Sequence, residues 1–473
     1  MAEAIDLQRI EQEELEGSTN RIYGLKNRTP RVNLRVSPKS NGKICEWPRL
    51  RKGPFHDLSV AAGAHVWDVY NRMLHPRKYI AGPQGLLHEH YHLTHDVTLW
   101  NVAVERQIQV KGLEAARFVE YAISRDIEQE LPPGQCLYVV ICYPNGGIVS
   151  DPVLLRISQD EFWFSISDSD VLGYFRGLLQ GFQATGQFKQ VSIQELDVAP
   201  LQVQGPKSAP FMTRMFGEEI LTIPYYGLRE NTINGRDVTI TRTGFSNEIG
   251  FEIYVHDATK YAEEVWNYLM DHGAEFNLTV IAPSHIKRLE TGILSYGQDM
   301  DFENNPYECR LGWLIDRPYR KSDGVLLRTP DARRIARAND DLEYRPKSGD
   351  FIGKEALQQV RQDGVLQRLV GLEMGGAQQL DYNAYYYPVY RKNGKMDYVG
   401  YVTSIFYSPL KECNIAFAMV NSEDIPMHED GIREVIGTEL WVELPGRTTK
   451  PVRAKIVPVP FVAKGASGDL KAL

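Results

Sequence analysis

The chain has 473 residues, of which 43% are hydrophobic and 24% charged, and its net charge is -8. That length exceeds what one hydrophobic core organises, so two or three domains are expected, and no apolar run approaches the roughly 20 residues of a membrane span. A negative balance argues against a nucleic-acid surface as the main business and points to a small-molecule protein, with no membrane partner. The opening MAEAIDLQRIEQEELEGSTNR is acidic and amphipathic and shows no secretory signal. Five dispersed cysteines (Cys45, Cys136, Cys142, Cys309, Cys413) form no CxxC pair. They suit a reducing compartment, so a cytoplasmic protein is expected.

In chain order, residues 1–50 read as an N-terminal extension, a charged helical pattern followed by the loosely ordered NRTPRVNLRVSPKSNGK. Residues 51–316 alternate short strands with amphipathic helices. RQIQVKG, QCLYVVIC, FWFSISD and RDVTITRTG carry strand patterns, while GLEAARFVEYAI and DATKYAEEVWNYLMDHG have helical spacing. Residues 317–345 are dense in both charge signs and poor in apolar pattern, as in an insertion or long surface loop. From 346 to 473, QRLVGLEM, YYPVYRKNGKMDYVGYVTS, NIAFAMV, TELWVEL and RAKIVPVPF give closely spaced strands, as in a small barrel or sandwich.

Four stretches can carry chemistry. HEHYHLTH, residues 88–95, places His88, His92 and His95 on one face if helical and His88, His90 and His92 together if extended, and either arrangement can hold zinc. TRTGFSNEIGFEIYV, residues 241–255, sets Glu248 and Glu252 about Gly250. A carboxylate there can accept paired hydrogen bonds from a planar heterocycle edge, or the turn is simply a glycine-rich hairpin with solvated acids. KRLETGILSYGQDMD offers Arg288, on an ordinary charged helix or at a site. Asp126 ends a helical pattern at YAISRDIEQELPPGQ, which fits a helix cap as well as an acid doing proton work.

Taken in order, these pieces resemble the aminomethyltransferase family of the glycine-cleavage T-protein, whose members use tetrahydrofolate. The resemblance rests on eight ordered blocks: LWNVAVERQIQVKGLEAARFVEYAISRDI, GGIVSDP, LQVQGPKS, TGFSNEIGFEIY, RLETGILSYGQDM, NPYECRLGW, DFIGKEAL and VTSIFYSP. SISDSDVLGYFRGLLQG and VERQIQVKG look like the branch that contains the dimethylsulfoniopropionate demethylase. Other members cleave aryl methyl ethers or the methylenedioxy bridge of sesamin.

The resemblance implies an α+β fold, a three-domain cloverleaf of two interleaved α+β domains (51–316) and a C-terminal β-barrel (346–473) around a central folate channel. Asp126 then matches the acid beside ring nitrogen 5. Glu252 matches the acid that holds the amino-pyrimidine edge of the pterin, and Phe245 stands where the T-protein has a tyrosine. Arg288 matches the arginine of the RLE block, Tyr225 and Tyr226 an aromatic pair near the cofactor, and Tyr138 the strand before the Gly-Gly turn. Tyr143 replaces a cofactor-contacting asparagine. No metal is used at the histidine run in this family, so its helix is expected to line the channel and lend His92 or His95 to the substrate.

The implied activity moves a methyl or methylene group from an aromatic ether to tetrahydrofolate, the aromatic donor being suggested by 25 tyrosines, 17 phenylalanines and 7 tryptophans and by the extra segments. The alternatives are demethylation of a small sulfonium or ammonium compound, glycine cleavage with a lipoyl carrier protein, and a non-catalytic folate-binding assembly protein. The last branch resembles a KGCYxGQE context, which NNPYECRLGW around Cys309 does not reproduce.

Overall fold

The structure is a computed structural model that describes residues 49–321, 324, 326, 342–375, 379–383, 385–423, 435–444 and 451–462. Nearly all of the expected N-terminal extension, with Cys45, and the interior of the expected insertion lie outside the described residues.

Two sheets make up the larger half. One has five strands in the order Ser192–Glu195, Gln107–Lys111, Glu161–Ser165, Val153–Arg156 and Gln135–Tyr138. The other has six, in the order Leu228–Ile233, Arg236–Thr241, Gly250–His256, Val198–Gln204, Thr98–Asn101 and Thr279–Val280. The chain leaves the six-stranded sheet after Thr98–Asn101, builds the five-stranded one, and returns from Ser192–Glu195 into Val198–Gln204. This double crossing interleaves the two units.

Period-2 alternation gives each sheet two unlike faces. In the six-stranded sheet Leu201, Val203, Val238, Ile240, Phe251, Ile253 and Val255 bury into one apolar core with Val265, Trp266 and Leu269 of the helix Ala258–Gly273. In the five-stranded sheet Ile108, Val110, Phe162 and Phe164 pack on Phe118 and Val119 of the helix Ala115–Ala122, whose buried positions recur at helical spacing. Each fully buried phenylalanine contributes about 1.5–3 kcal/mol of apolar burial. The opposite faces are mixed and meet each other, with Cys136, Leu155 and Trp163 packing against Tyr254 and Tyr226. Glu252, Gln202 and Thr241 belong to that inner face, opposite one another in register.

The last third closes into a barrel, in the order Gln367–Met374, Cys413–Asn421, Lys395–Ser408, Tyr387–Asn393, Glu439–Val442 and Val452–Val457. Val370, Leu372, Ala416, Ala418 and Val420 fill it, while Leu369, Phe406, Ile415 and Phe417 face outward onto Ile286 and Leu289 of the helix His285–Glu290. A barrel is thus the outcome where a barrel or a sandwich was expected. At the edges of the expected insertion, Arg317–Arg320 and Leu342–Arg345 pair antiparallel instead of forming loop. Arg317 reaches back to Glu130, and Lys347 donates to the Glu120 carboxylate at 2.6 Å and to the Arg125 carbonyl at 3.0 Å, so this hairpin is buckled to the segment that carries Asp126.

Candidate active site

Glu252 lies in the middle of Gly250–His256, where both neighbouring strands can serve it. Its carboxylate accepts from Gln202 Nε2 at 2.5 Å, from the Tyr254 hydroxyl at 3.0 Å, from Thr241 at 3.4 Å and from Thr243. Burial raises its pKa against those donors. The glycines of the preceding turn have a packing reason: a Cβ on Gly244 or Gly250 would meet the Gln204 carboxamide at 2.2 or 2.3 Å. Gln204 in turn donates to the Thr243 carbonyl and accepts from Ser246, which fixes the turn. Glu248, the other acid of that stretch, is ion-paired to Lys287.

Sequence reasoning missed Glu105. This residue follows Val104 in the crossing between the sheets, and burial lifts its carboxyl well above the usual range, with the Glu252 charge adding to the effect. Among the described residues its carboxylate accepts from Ser165 at 3.3 Å. Burial and the neighbouring Glu252 charge both disfavour the ionised form of Glu105. The only signal available in the sequence was an acid inside the apolar run NVAVERQIQV.

Asp151 was missed as well, although it lies within GGIVSDP. Its Oδ2 accepts from the Tyr138 hydroxyl at 2.8 Å, while Oδ1 is buried without a hydrogen-bond partner. Burial pushes its pKa up to about 6; Tyr138 and Ser167 oppose the rise and Asp299 adds to it. Around these acids stand tyrosines whose phenols burial holds well above their ordinary value: Tyr70, Tyr138, Tyr226 and Tyr296. Each is part-buried. Tyr70 comes from the hairpin Val66–Tyr70 and Met73–Lys78, and its phenol is raised further by Glu105 and Asp151.

The remaining expected residues are placed as follows. Tyr138 and Tyr226 join the acids. Tyr225 packs edge-on against Tyr226 but is 41% exposed. Phe245 packs against Leu93, Trp100, Val102 and Ile281 and donates its N–H to Gln202 at 3.4 Å, so it adjoins the Glu252 network. Tyr143 packs edge-on against Tyr174 beside the Gly-Gly turn, which its own N–H closes onto the Gly147 carbonyl at 2.8 Å. Arg288 is fully buried and spoken for: it binds Asp299 at 2.5 Å and Ser404 at 2.7 Å, clamping the core to the barrel. Asp126 caps the helix Ile127–Glu130, accepting from the Gln129 N–H at 3.0 Å and from the Gln129 side chain at 2.6 Å.

The histidine run is a helix, Gly85–His95, but not with the expected face inward. Gly85, Glu89, His90 and Leu93 are buried, and Gly85 is required because a Cβ would meet the Ile80 carbonyl at 1.9 Å. His92 turns to Asp96 at 3.2 Å, and His95 stacks on Tyr91 with ring centroids 4.1 Å apart on the exposed side. The helical period that groups 88, 92 and 95 puts them opposite the buried 89, 90 and 93, so neither His92 nor His95 reaches the acids. Among the described residues no three His, Cys, Asp or Glu side chains are grouped as a metal site, and no helix is long and apolar enough to cross a membrane.

Two interleaved sheets joined to a closed barrel, with Glu252, Glu105 and Asp151 among tyrosines on their facing sides, make up the architecture and the candidate site. The GCVT N-terminal domain model matches residues 55–318, and the model of the glycine cleavage T-protein C-terminal barrel domain matches residues 367–463. The chain belongs to this family, which is tetrahydrofolate-dependent. It is 32% identical over 373 residues to the dimethylsulfoniopropionate demethylase DmdA of Ruegeria pomeroyi, covering 79% of this chain and 90% of that one. To an aminomethyltransferase of Alkaliphilus metalliredigens it is 27% identical over 345 residues, 72% of this chain and 82% of the relative. The crystal structure of aminomethyltransferase T from Bartonella henselae has the same fold, with a TM-score of 0.66 at 22% identity over 88% of this chain and 99% of the other.

The residues present fit tetrahydrofolate. Glu252 Oε1 has a single donor and Glu105 one long bond, so an edge that presents adjacent N–H groups supplies what the acids lack.

Proposed function

We propose that this protein is a cytoplasmic tetrahydrofolate-dependent transferase that takes a methyl or methylene group from an aromatic ether, methoxy or methylenedioxy, and releases a phenol or catechol. The observation that carries this reading is Asp151, whose Oδ1 is buried without a hydrogen-bond partner while Tyr138 holds Oδ2 at 2.8 Å. Burial keeps Glu105 and Glu252 above their ordinary values and brings Asp151 to about 6. Acids that hold protons can donate to an ether oxygen, which departs badly unless protonated, and such general acid help is typically worth ~10²- to 10⁴-fold. Tyr70, Tyr138 and Tyr296 supply flat walls for the ring.

Glu252 with Glu105 would hold the pterin edge, Phe245 and Tyr226 would wall it, and Asp126 would take up the proton released at the acceptor nitrogen after turning from Gln129. Tyr225 at the rim, Tyr143 beside the Gly-Gly turn and Arg288 behind the site would support that pocket. Bound tetrahydrofolate supplies ring nitrogen 5 as the acceptor of the carbon. The enclosed walls exclude water, so a one-carbon unit is not lost as formaldehyde.

A second reading, demethylation of a small sulfonium, is favoured by the likeness to the demethylase of Ruegeria pomeroyi. Such a donor leaves as a neutral thioether and needs positioning, not an acid. The test is incubation with tetrahydrofolate and a panel of aryl methyl ethers, methylenedioxy compounds and sulfonium donors, with the folate product identified by mass. A methyl or methylene product from an aromatic donor is expected. Turnover of sulfonium donors alone would replace the first reading by the second, and no folate-dependent turnover of any donor would remove both.

A further inference from the structure

We infer that Asp151 is the acid that protonates the departing ether oxygen, with Tyr138 as its positioning residue. The inference rests on the aromatic-ether reading and assigns its leaving-group end. Asp151 closes the strand Ile148–Ser150, its backbone N–H donates to the Ser167 hydroxyl at 3.3 Å, and the Tyr138 phenol fixes Oδ2 at 2.8 Å. That leaves Oδ1 buried and unpartnered. A buried carboxylate oxygen with no donor is costly, on the order of 1–3 kcal/mol, and such orphans persist where a function retains them. A proton on Oδ1 removes the cost and makes the group a donor.

Its surroundings keep the proton available. The ionisable groups acting on Asp151 are the phenol of Tyr138, which lowers its pKa, and the acid Asp299, which raises it. Asp151 in turn acts on Glu105, Tyr70 and Tyr296. These are acids and phenols, and the cation Arg77 acts on Tyr70 alongside Asp151. Asp126 is part-buried like Asp151, but both of its oxygens accept from Gln129 and it caps a helix.

For a methyl ether the step balances. The carbon–oxygen bond breaks with its electron pair on oxygen, the new bond joins that carbon to the folate nitrogen, and the Asp151 proton ends on the oxygen as a phenol. The proton displaced from the nitrogen passes to a carboxylate of the site, so no oxidant or reductant is consumed.

The test combines a substrate series with a ligand-free measurement. In Asp151→Asn, which keeps an acceptor for Tyr138, turnover of methoxybenzenes with poor leaving groups is expected to fall ~10²- to 10⁴-fold, while a nitro-activated aryl methyl ether loses less than about tenfold. Tyr138→Phe is expected to shift the pH profile without removing the dependence on the leaving group. Equal losses across the series would leave the ether reading standing and overturn the role of Asp151 alone. If the wild-type chain turns over no aryl ether, both fall together. Independently of any donor, infrared spectra of the ligand-free protein are expected to show a protonated-carboxyl band that titrates near pH 6 and is missing in Asp151→Asn. An unchanged band overturns the assignment.

Discussion

Glu252 and Asp151 are held in opposite ways. Glu252 sits mid-strand with strands on both sides, and Gln202, Thr241, Thr243 and Tyr254 all donate to it. Asp151 follows a three-residue strand that pairs with Ile141–Cys142 in a separate two-stranded sheet, with one oxygen bonded and the other bare. The contrast is between an acid made rigid by the ladder around it and acids at element ends, Asp151 and Asp126, which can exchange a partner. Rigid acids suit holding a ligand and exchangeable ones suit moving protons.

The largest expected effect breaks the second half of that contrast. Asparagine caps a helix as well as aspartate does, so Asp126→Asn keeps the bond from the Gln129 N–H and removes the proton-accepting group together with the bond from the Gln129 side chain. Turnover is expected to fall ~10²- to 10⁴-fold, with the folate dissociation constant and the unfolding midpoint unchanged. Undiminished turnover would remove Asp126 from the chemistry and leave it a cap.

The first half is broken by Glu252→Ala. It leaves Gln202, Thr243 and Tyr254 donating into a void, and a buried donor left unpaired costs about 1–3 kcal/mol. Folate affinity is expected to drop on the order of 10²-fold in a binding titration, equivalent to about 3 kcal/mol. Loss of turnover with unaltered affinity would contradict the holding role.

How legible this was depended on whether one element or several decided a position. The period-2 strands and helical faces of both sheets read directly, because each pattern is local. Glu252 was found because the block TGFSNEIGFEIY carried it, and Tyr138 and Tyr226 by matching outside the blocks. Glu105 and Asp151 lie inside two of the blocks and were still passed over, since a single acid in an apolar run announces nothing until the second sheet is laid over it. The histidine run misled for a physical reason: spacing gives the helix its period, but neighbours choose its phase, and the contacts of Tyr79, Ile80 and Ala282 with Glu89 chose another face.

That inner face offers a sharper test of burial. His90 Nε2 lies 3.7 Å from Glu290 Oε2, yet burial lowers the imidazole to about 3 and raises the carboxyl to about 7, so the two are not oppositely charged together at any pH between those values. Glu290, raised from its ordinary 4.5, stabilises fully below 4.5 and loses that contribution as pH rises through about 7. His90, lowered from its ordinary 6.5, stabilises above 6.5 and loses that contribution as pH falls through about 3. The two slopes oppose each other and cancel between pH 4.5 and 6.5. Glu290→Gln removes one of them, so the difference in unfolding free energy between variant and wild type is expected to rise with pH across that interval by up to ~1.4 kcal/mol per unit. A difference independent of pH would mean that the Glu290 carboxyl is not raised in the folded chain.

The smallest effect belongs to the outer face of the same helix. His95 stacks on Tyr91 and its Nδ1 lies 2.9 Å from the Tyr91 carbonyl, both on the exposed side, so His95→Ala removes a surface contact and nothing from the channel. Stability is expected to change by no more than about 0.5 kcal/mol, and turnover to stay within about twofold of wild type. His92→Ala should cost more, roughly 0.5–1 kcal/mol, because Asp96 is buried and His92 is one of its partners, with Lys207 and Asn277 as the others. A tenfold loss of turnover in either variant, with folding intact, would mean that the helix turns its histidines to the donor. The contrast between holding and reacting acids would then need a third member.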